Sequence, residues 1–243
     1  LGPELQWAVL LAGTFAGGFA TGLAGFAYAL VTAAFFLHVL DPVDAVAVTM
    51  IGTLLGQATT IWRFRAAMDP RRLLPFLVPG LAGVPVGTWL LASADAGTVR
   101  DAIGAFLVAY ALYAIATPRL VIGRRGGRVA DGAVGFAGGI LGGLAGLSGA
   151  LPTIWAGMRG WSRDEQRAVY QPFIVVVQIW ALSSLALSGG VGRDAMEWVA
   201  KCLPAFALGL FLGMRAYARI DEHVFRRVVL GMLLASGSAL VLF

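Results

Sequence analysis

Eight apolar runs, separated by short polar and charged stretches, organise the chain; they cover roughly 5–38, 43–62, 73–92, 99–118, 130–158, 166–188, 197–214 and 224–242. Six of them are close to the ~20 residues with which a helix crosses a bilayer. The runs at 5–38 and 130–158 are too long for one crossing and short for two full crossings plus a loop. Both carry glycine clusters in the middle. Each of these long runs therefore reads as a helical hairpin, either re-entrant or a pair of short tilted helices. The expected fold is an all-α polytopic membrane protein.

The two long runs are copies of each other. Phe15-Ala16-Gly17-Gly18 followed by Gly22-Leu23-Ala24-Gly25 matches Phe136-Ala137-Gly138-Gly139 followed by Gly143-Leu144-Ala145-Gly146, at an offset of 121 with no gap. From 15–32 onto 136–153, 11 of 18 positions are identical. The same offset pairs Gln57 with Gln178. An offset of 126 then pairs Gly83 and Gly87 with Gly209 and Gly213, Asp95 with Asp221, and Arg100 with Arg226. Landmarks in one order along both halves are the mark of an internal repeat. The expected organisation is a first repeat over 1–118, a basic cytoplasmic linker over 119–128 and a second repeat over 129–243.

Charge decides whether the repeats are parallel or inverted. If each long run crosses once, the 18 basic residues split about 10 to 8 between the two sides. If each is a hairpin returning to its own side, 15 of the 18 share one side. These are Arg63, Arg65, Arg71, Arg72, Arg119, Arg124, Arg125, Arg128, Arg159, Arg163, Arg167, Arg215, Arg219, Arg226 and Arg227. Only Arg100, Arg193 and Lys201 remain opposite, among several acids. The positive-inside rule selects the second arrangement. Each repeat then has a glycine-tipped hairpin plus three transmembrane helices, the repeats are inverted, and both termini face the periplasm.

Composition agrees. Of 243 residues, 59% are apolar and 13% charged, against about 25% charged in an ordinary soluble domain. Mean hydropathy is +0.82. This excludes a soluble globular enzyme, a disordered chain and a disulfide scaffold. The net charge of +5 and the pI near 10.0 reflect loops between apolar runs rather than a nucleic-acid partner. One cysteine, Cys202, and two distant histidines, His38 and His223, fit no metal motif. There is no Walker A motif, and no cofactor is implied. Asp44, Asp131 and Glu165 lie near run starts, where acids suit a helix N-terminus.

The chemistry centres on the two Gly-Leu-Ala-Gly tips, Gly22 to Gly25 and Gly143 to Gly146. A hairpin must turn there, and glycine permits the positive φ that a turn needs. Just past each tip, the first N–H groups of the second leg lack helical partners. They belong to Phe26, Ala27 and Tyr28 in one half and to Leu147, Ser148 and Gly149 in the other. Helix N-termini carry roughly +0.5 of a charge. Two such ends related by inverted symmetry would form an anion site near the midplane. Gln57 and Gln178 are polar, mid-span and repeat-related. They either donate to an anion or make an interhelical hydrogen bond. Ser148 has the same two readings. Tyr170, Gln171 and Pro172 form a further polar, helix-breaking patch. Gly17, Gly18, Gly138 and Gly139 read as packing positions. The Gly83/Gly87 pair would serve a homodimer or internal packing equally well. Trp7, Trp62, Trp89 and Trp198 lie near run ends as interface anchors.

The pattern Gly-Phe-Ala-Gly-Gly-Ile-Leu-Gly-Gly-Leu-Ala-Gly-Leu-Ser-Gly-Ala at 135–150, with its weaker copy from Phe15, resembles the sulfite exporter TauE/SafE family of membrane permeases. Length, two-half build and basic linker agree, and the resemblance covers essentially the whole chain. It implies export of sulfite or small organosulfonates across the bacterial inner membrane. The halves differ in one respect. Ala27 and Tyr28 stand where the second half has Ser148 and Gly149, so the tips are not chemically equivalent.

The expected function is a secondary transporter exporting a small sulfur oxyanion by alternating access, in contact with the lipid bilayer. The alternative within transport is an anion channel, or an importer of sulfonates or other organic anions. An intramembrane enzyme would need catalytic groups within the spans, which sparse histidines and absent mid-span acids argue against. A membrane scaffold would be indifferent to changes at both tips.

Overall fold

The computed structural model describes residues 2–25, 27–62, 68–116, 123, 127–216, 234 and 238. The expected last helix, 224–242, lies outside the described residues apart from Leu234 and Ser238. So do Phe26, Arg63, Arg65 and most of the 119–128 linker. The described residues form nine helices and no strand: α1 (Pro3–Ala24), α2 (Tyr28–Phe36), α3 (Pro42–Thr60), α4 (Pro70–Ser93), α5 (Ala96–Ala116), α6 (Gly127–Ala145), α7 (Ala150–Met158), α8 (Arg163–Leu187) and α9 (Arg193–Ala216). Three of these are long and apolar enough to cross a membrane: Pro70–Ser93, Glu165–Leu187 and Arg193–Ala216.

Local chemistry sets the starts. Proline occupies the first position of α1, α3 and α4, where its missing N–H costs nothing. Asp69 accepts from Arg71 N at 2.9 Å ahead of α4, and Asp95 accepts from Thr98 N at 2.9 Å ahead of α5. Ser162 and Glu165 form a reciprocal capping box at α8. Glu165 also binds Arg72 at 2.6 Å. Asp131 departs from the expected role of an acid at a helix start. It is the fifth residue of α6, buried, and engages other side chains.

The described chain divides into two compact units. The first holds Leu1–Gly52, Ala94–Pro118 and the segment from Val191 onward; the second holds Thr53–Ser93 and Arg119–Gly190. Each unit pairs a long-run helix with a helix from the other sequence half.

In the first unit, α2 runs back along α1. Gly17 faces Tyr28 and Thr32, Gly13 faces Phe35, and Gln6 Nε2 donates to Val39 O at 2.9 Å. Arg100 on α5 donates to Leu37 O at 2.9 Å and Leu40 O at 3.3 Å, placing a cation at the α2 C-terminus. α1 and α9 pack in parallel. A Cβ on Gly209 or Gly213 would strike the carbonyls of Phe15 or Phe19, and Gly18 lies against Phe206 O.

In the second unit, α7 runs back along α6, with Gly138 against Ser148 and Pro152. α4 and α6 pack in parallel. A Cβ on Gly83 or Gly87 would strike the carbonyls of Phe136 or Ile140, and Gly139 lies against Gly80 O. These contacts reproduce those of α1 with α9 at the sequence offsets of the repeat. Gly83 and Gly87 are thus engaged in packing within the chain.

Glycines mark the buried face of the paired helices, while many large apolar residues lie outside. On α9, Cys202, Phe206, Gly209, Leu210 and Gly213 are buried, whereas Leu203, Leu208, Phe211 and Met214 are exposed. On α4, Gly80, Gly83 and Gly87 are buried while Val78, Val86 and Trp89 are exposed. Small residues at the contact and apolar residues on the outer face are what helices packing in lipid require.

Candidate functional site

The site is built where α6 ends and α8 passes it, all within the second unit. α6 stops at Gly146, whose φ is +71°. Gly146 N donates to Gly142 O at 2.9 Å and Leu147 N to Leu141 O at 3.1 Å. This glycine-based helix end satisfies the last carbonyls of α6. The Leu147 N–H is therefore engaged, contrary to the expectation that it is available at the tip. The chain turns, Ala150 N bonds Leu147 O at 3.1 Å, and α7 begins. Among the described residues, the N–H groups of Ser148 and Gly149 donate to no backbone carbonyl.

α8 presents Gln171, Ile174 and Gln178 at spacings of three and four, so they share one face. Ile174 fills the space beside Gly149, and Val177 lies beside Gly142. Gln178 Nε2 donates to Gly146 O at 2.6 Å, locking helix and tip together. Ser148, Gln171 and Gln178 are all fully buried. Ser148 Oγ, both amide atoms of Gln171 and Gln178 Oε1 have no hydrogen-bond partner among the described residues. The donors on offer are the Ser148 hydroxyl, the Gln171 amide, the second Nε2 hydrogen of Gln178 and two backbone N–H groups. All are neutral; the Ser148 hydroxyl and the two N–H groups lie at the positive end of α7, Gln178 is held to the turn through Gly146, and Gln171 lies on the same α8 face.

The other expected residues divide. Gly143 does not turn: it is helical and lies against Val84 O and Thr88 N. Tyr170 is buried one position before Gln171. Pro172 does not break α8, which runs unbroken through it. In the first unit the tip glycine is Gly25, with φ +82° and its N–H on Thr21 O at 2.7 Å. Gly22 is helical and packs on Leu210 O. Ala27 and Tyr28 are buried. The Tyr28 ring occupies the space beside Gly17 and Gly52 and meets Phe206 edge-on at 5.4 Å between centroids. A large side chain thus stands at the position where the second tip has Gly149, its ring packed back along α1 against Gly17. Gln57 is buried on α3, in the stretch that belongs to the second unit.

One cluster escaped sequence reasoning. Asp131 near the start of α6 receives Arg159 Nη2 at 2.9 Å and Trp155 Nε1 at 2.7 Å. Both charged side chains are nearly buried, at 8% and 10% exposure. The pair ties the start of α6 to the end of α7. Its signal was an acid inside one end of an apolar run and an arginine just past the other.

The family model for the sulfite exporter TauE/SafE matches residues 9–240. No curated protein matches the chain, and neither does any solved structure. The apolar helices and the family match over nearly all of its length lead to one conclusion: the chain belongs to the sulfite exporter TauE/SafE family of membrane permeases.

Proposed function

We propose that this permease carries a small sulfur oxyanion, sulfite or an organosulfonate, out across the bacterial inner membrane by alternating access. The observation that carries the reading is the buried polar atoms of Ser148 in the α6–α7 turn and of Gln171 and Gln178 on the α8 face that packs on it, which no described residue matches. In a bilayer a stranded polar group is costly, so a site of this kind is one that a ligand completes. Neutral donors suit an anion that must be released again, because they add no opposing full charge. The substrate class rests on the family.

The repeats are inverted in this reading, with both termini periplasmic. The distribution of 15 of 18 basic residues supports it. So do the ties at the open ends of the helix pairs, Gln6 to Val39 and Asp131 to Arg159. α2 and α7 have nine residues each. That is about 14 Å of helix, half the ~30 Å hydrocarbon core, beside first legs of 22 and 19 residues, so the second leg of each hairpin is too short to cross by itself. By repeat equivalence Gly25, Ala27 and Gln57 are the first-half counterparts of Gly146, Ser148 and Gln178. Transport follows from one repeat rocking against the other. Export needs no carboxylate relay: one negative charge leaving a negative interior gains about 2.3 kcal/mol per 100 mV.

The test is sulfite flux in proteoliposomes. Saturable uptake that accelerates when unlabelled sulfite is preloaded inside, and that collapses in Gln171→Leu, is expected of a carrier using this site. Flux that rises linearly with sulfite and shows no exchange would indicate a channel. Absence of flux for sulfite and for sulfonates alike would remove the proposal.

A further inference from the structure

The N-terminal ends of the parallel helices α4 and α6 leave a groove of about 520 Å³ on the second unit. Leu74, Val78 and Val129 line it, exposed by 50%, 62% and 86%. Gly132 forms part of its floor, where an added Cβ would meet only ordinary contacts, at 3.5 Å from Pro79 Cγ and 3.6 Å from Pro75 O. Arg71 and Arg128 lie at its end, both exposed. Among the described residues neither guanidinium has a carboxylate partner, whereas the adjacent Arg72 is held by Asp69 and Glu165. Two helix N-termini point the same way, adding partial positive charge to the two arginines.

The equivalent place on the first unit is closed. At the repeat offsets, Trp7 stands for Arg128, Leu11 for Gly132 and Glu197 for Arg71. Trp7 packs on Trp198 with centroids 4.5 Å apart, Lys201 lies over Trp7 at 5.0 Å, and Glu197 binds Lys201 at 3.3 Å. One copy of this helix pair thus fills its end with indole rings and pairs its charges. The other copy has a glycine, an open apolar wall and two arginines lacking a carboxylate.

We propose that the α4–α6 groove is a binding site for an anionic glycerophospholipid, its phosphate on Arg71 and Arg128 and an acyl chain along Leu74, Val78 and Val129. The apolar wall selects a lipid over a free phosphate, and the paired cations select an anionic headgroup over a zwitterionic one. The site is separate from the buried α6–α7 turn, and its occupancy does not depend on which anion the permease carries.

Native mass spectrometry of the detergent-released protein tests this, with phosphatidylglycerol, phosphatidylethanolamine of matched chains, and inorganic phosphate as probes. The expected result is one tightly held phosphatidylglycerol, preferred about thirtyfold over phosphatidylethanolamine, the factor two surface arginines supply. The preference should fall to parity in Arg71→Gln/Arg128→Gln. In Gly132→Leu, which places in the groove the residue found at the equivalent position of the first unit, binding of both lipids should weaken. Equal retention of the two lipids by the unaltered protein would overturn the proposal. So would inorganic phosphate displacing the lipid at equal concentration, or a preference that survives the double arginine change.

Discussion

Gln178 Nε2 donates to the carbonyl of Gly146 at 2.6 Å, joining the middle of α8 to the turn that ends α6. The bond is buried, and the carbonyl it satisfies belongs to the left-handed glycine at the tip. Gln178→Leu would strand that carbonyl away from water. A loss of about 1–3 kcal/mol is expected. It would be read as a lower unfolding midpoint in detergent, with Gln178→Glu retaining less than the parent because a carboxylate cannot donate. An unchanged midpoint in Gln178→Leu would show that the bond contributes nothing to the fold.

Ser148 is the counter-case. Its Oγ is buried and bonds nothing among the described residues. Ser148→Ala therefore removes no internal bond, and stability should stay at or above that of the parent. If the hydroxyl donates to a bound anion, the same change should weaken anion binding about tenfold or more, as loss of a hydrogen bond to a charged group does. Stability and binding thus separate in Ser148→Ala and fall together in Gln178→Leu.

The glycine seams make a paired prediction. Gly83 meets the Phe136 carbonyl as Gly209 meets that of Phe15. Gly83→Ala and Gly209→Ala should each cost about 1–3 kcal/mol by forcing parallel helices apart. Gly192→Ala is the control, since its nearest neighbour would be Asp194 N at 3.9 Å. Thermal denaturation of the three variants checks this; a tolerated alanine at either seam would contradict the close approach.

Much of this was legible in the chain, and the reason is periodicity. The offsets of 121 and 126 aligned the glycines whose contacts coincide, because a glycine facing a backbone carbonyl tolerates no substitute. The sequence did not reveal which tip glycine turns. Gly22 and Gly25 look alike in sequence, and only the helix end separates packing from turning. Nor did it show where the Tyr28 ring packs, since that depends on a glycine 24 positions away, Gly52. The shared α8 face of Gln171 and Gln178 was hidden by Pro172, which suggested a break where the helix continues. The unmatched amide of Gln171 was not readable either, because it depends on what packs around it.

Asp131 and Arg159 form a nearly buried pair, so losing one partner strands the other. Asp131→Ala should cost about 3–5 kcal/mol, whereas Asp131→Leu/Arg159→Met should recover most of the loss. Urea or thermal midpoints of the single and double variants supply the comparison. Equal damage in both would mean that the tie depends on its charges rather than on filling the space.

In the proposed function a sulfur oxyanion completes the buried polar atoms of Ser148, Gln171 and Gln178. The most direct measurement is the thermal shift of the purified protein titrated with sulfite, with sulfate and acetate as comparators, in the parent, Ser148→Ala and Gln171→Leu. A ligand at 100 times its dissociation constant should add about 2.7 kcal/mol to stability. Sulfite is expected to give a saturable shift, reduced in both variants while their anion-free midpoints stay near the parent. A sulfite shift of full size in both variants would contradict this.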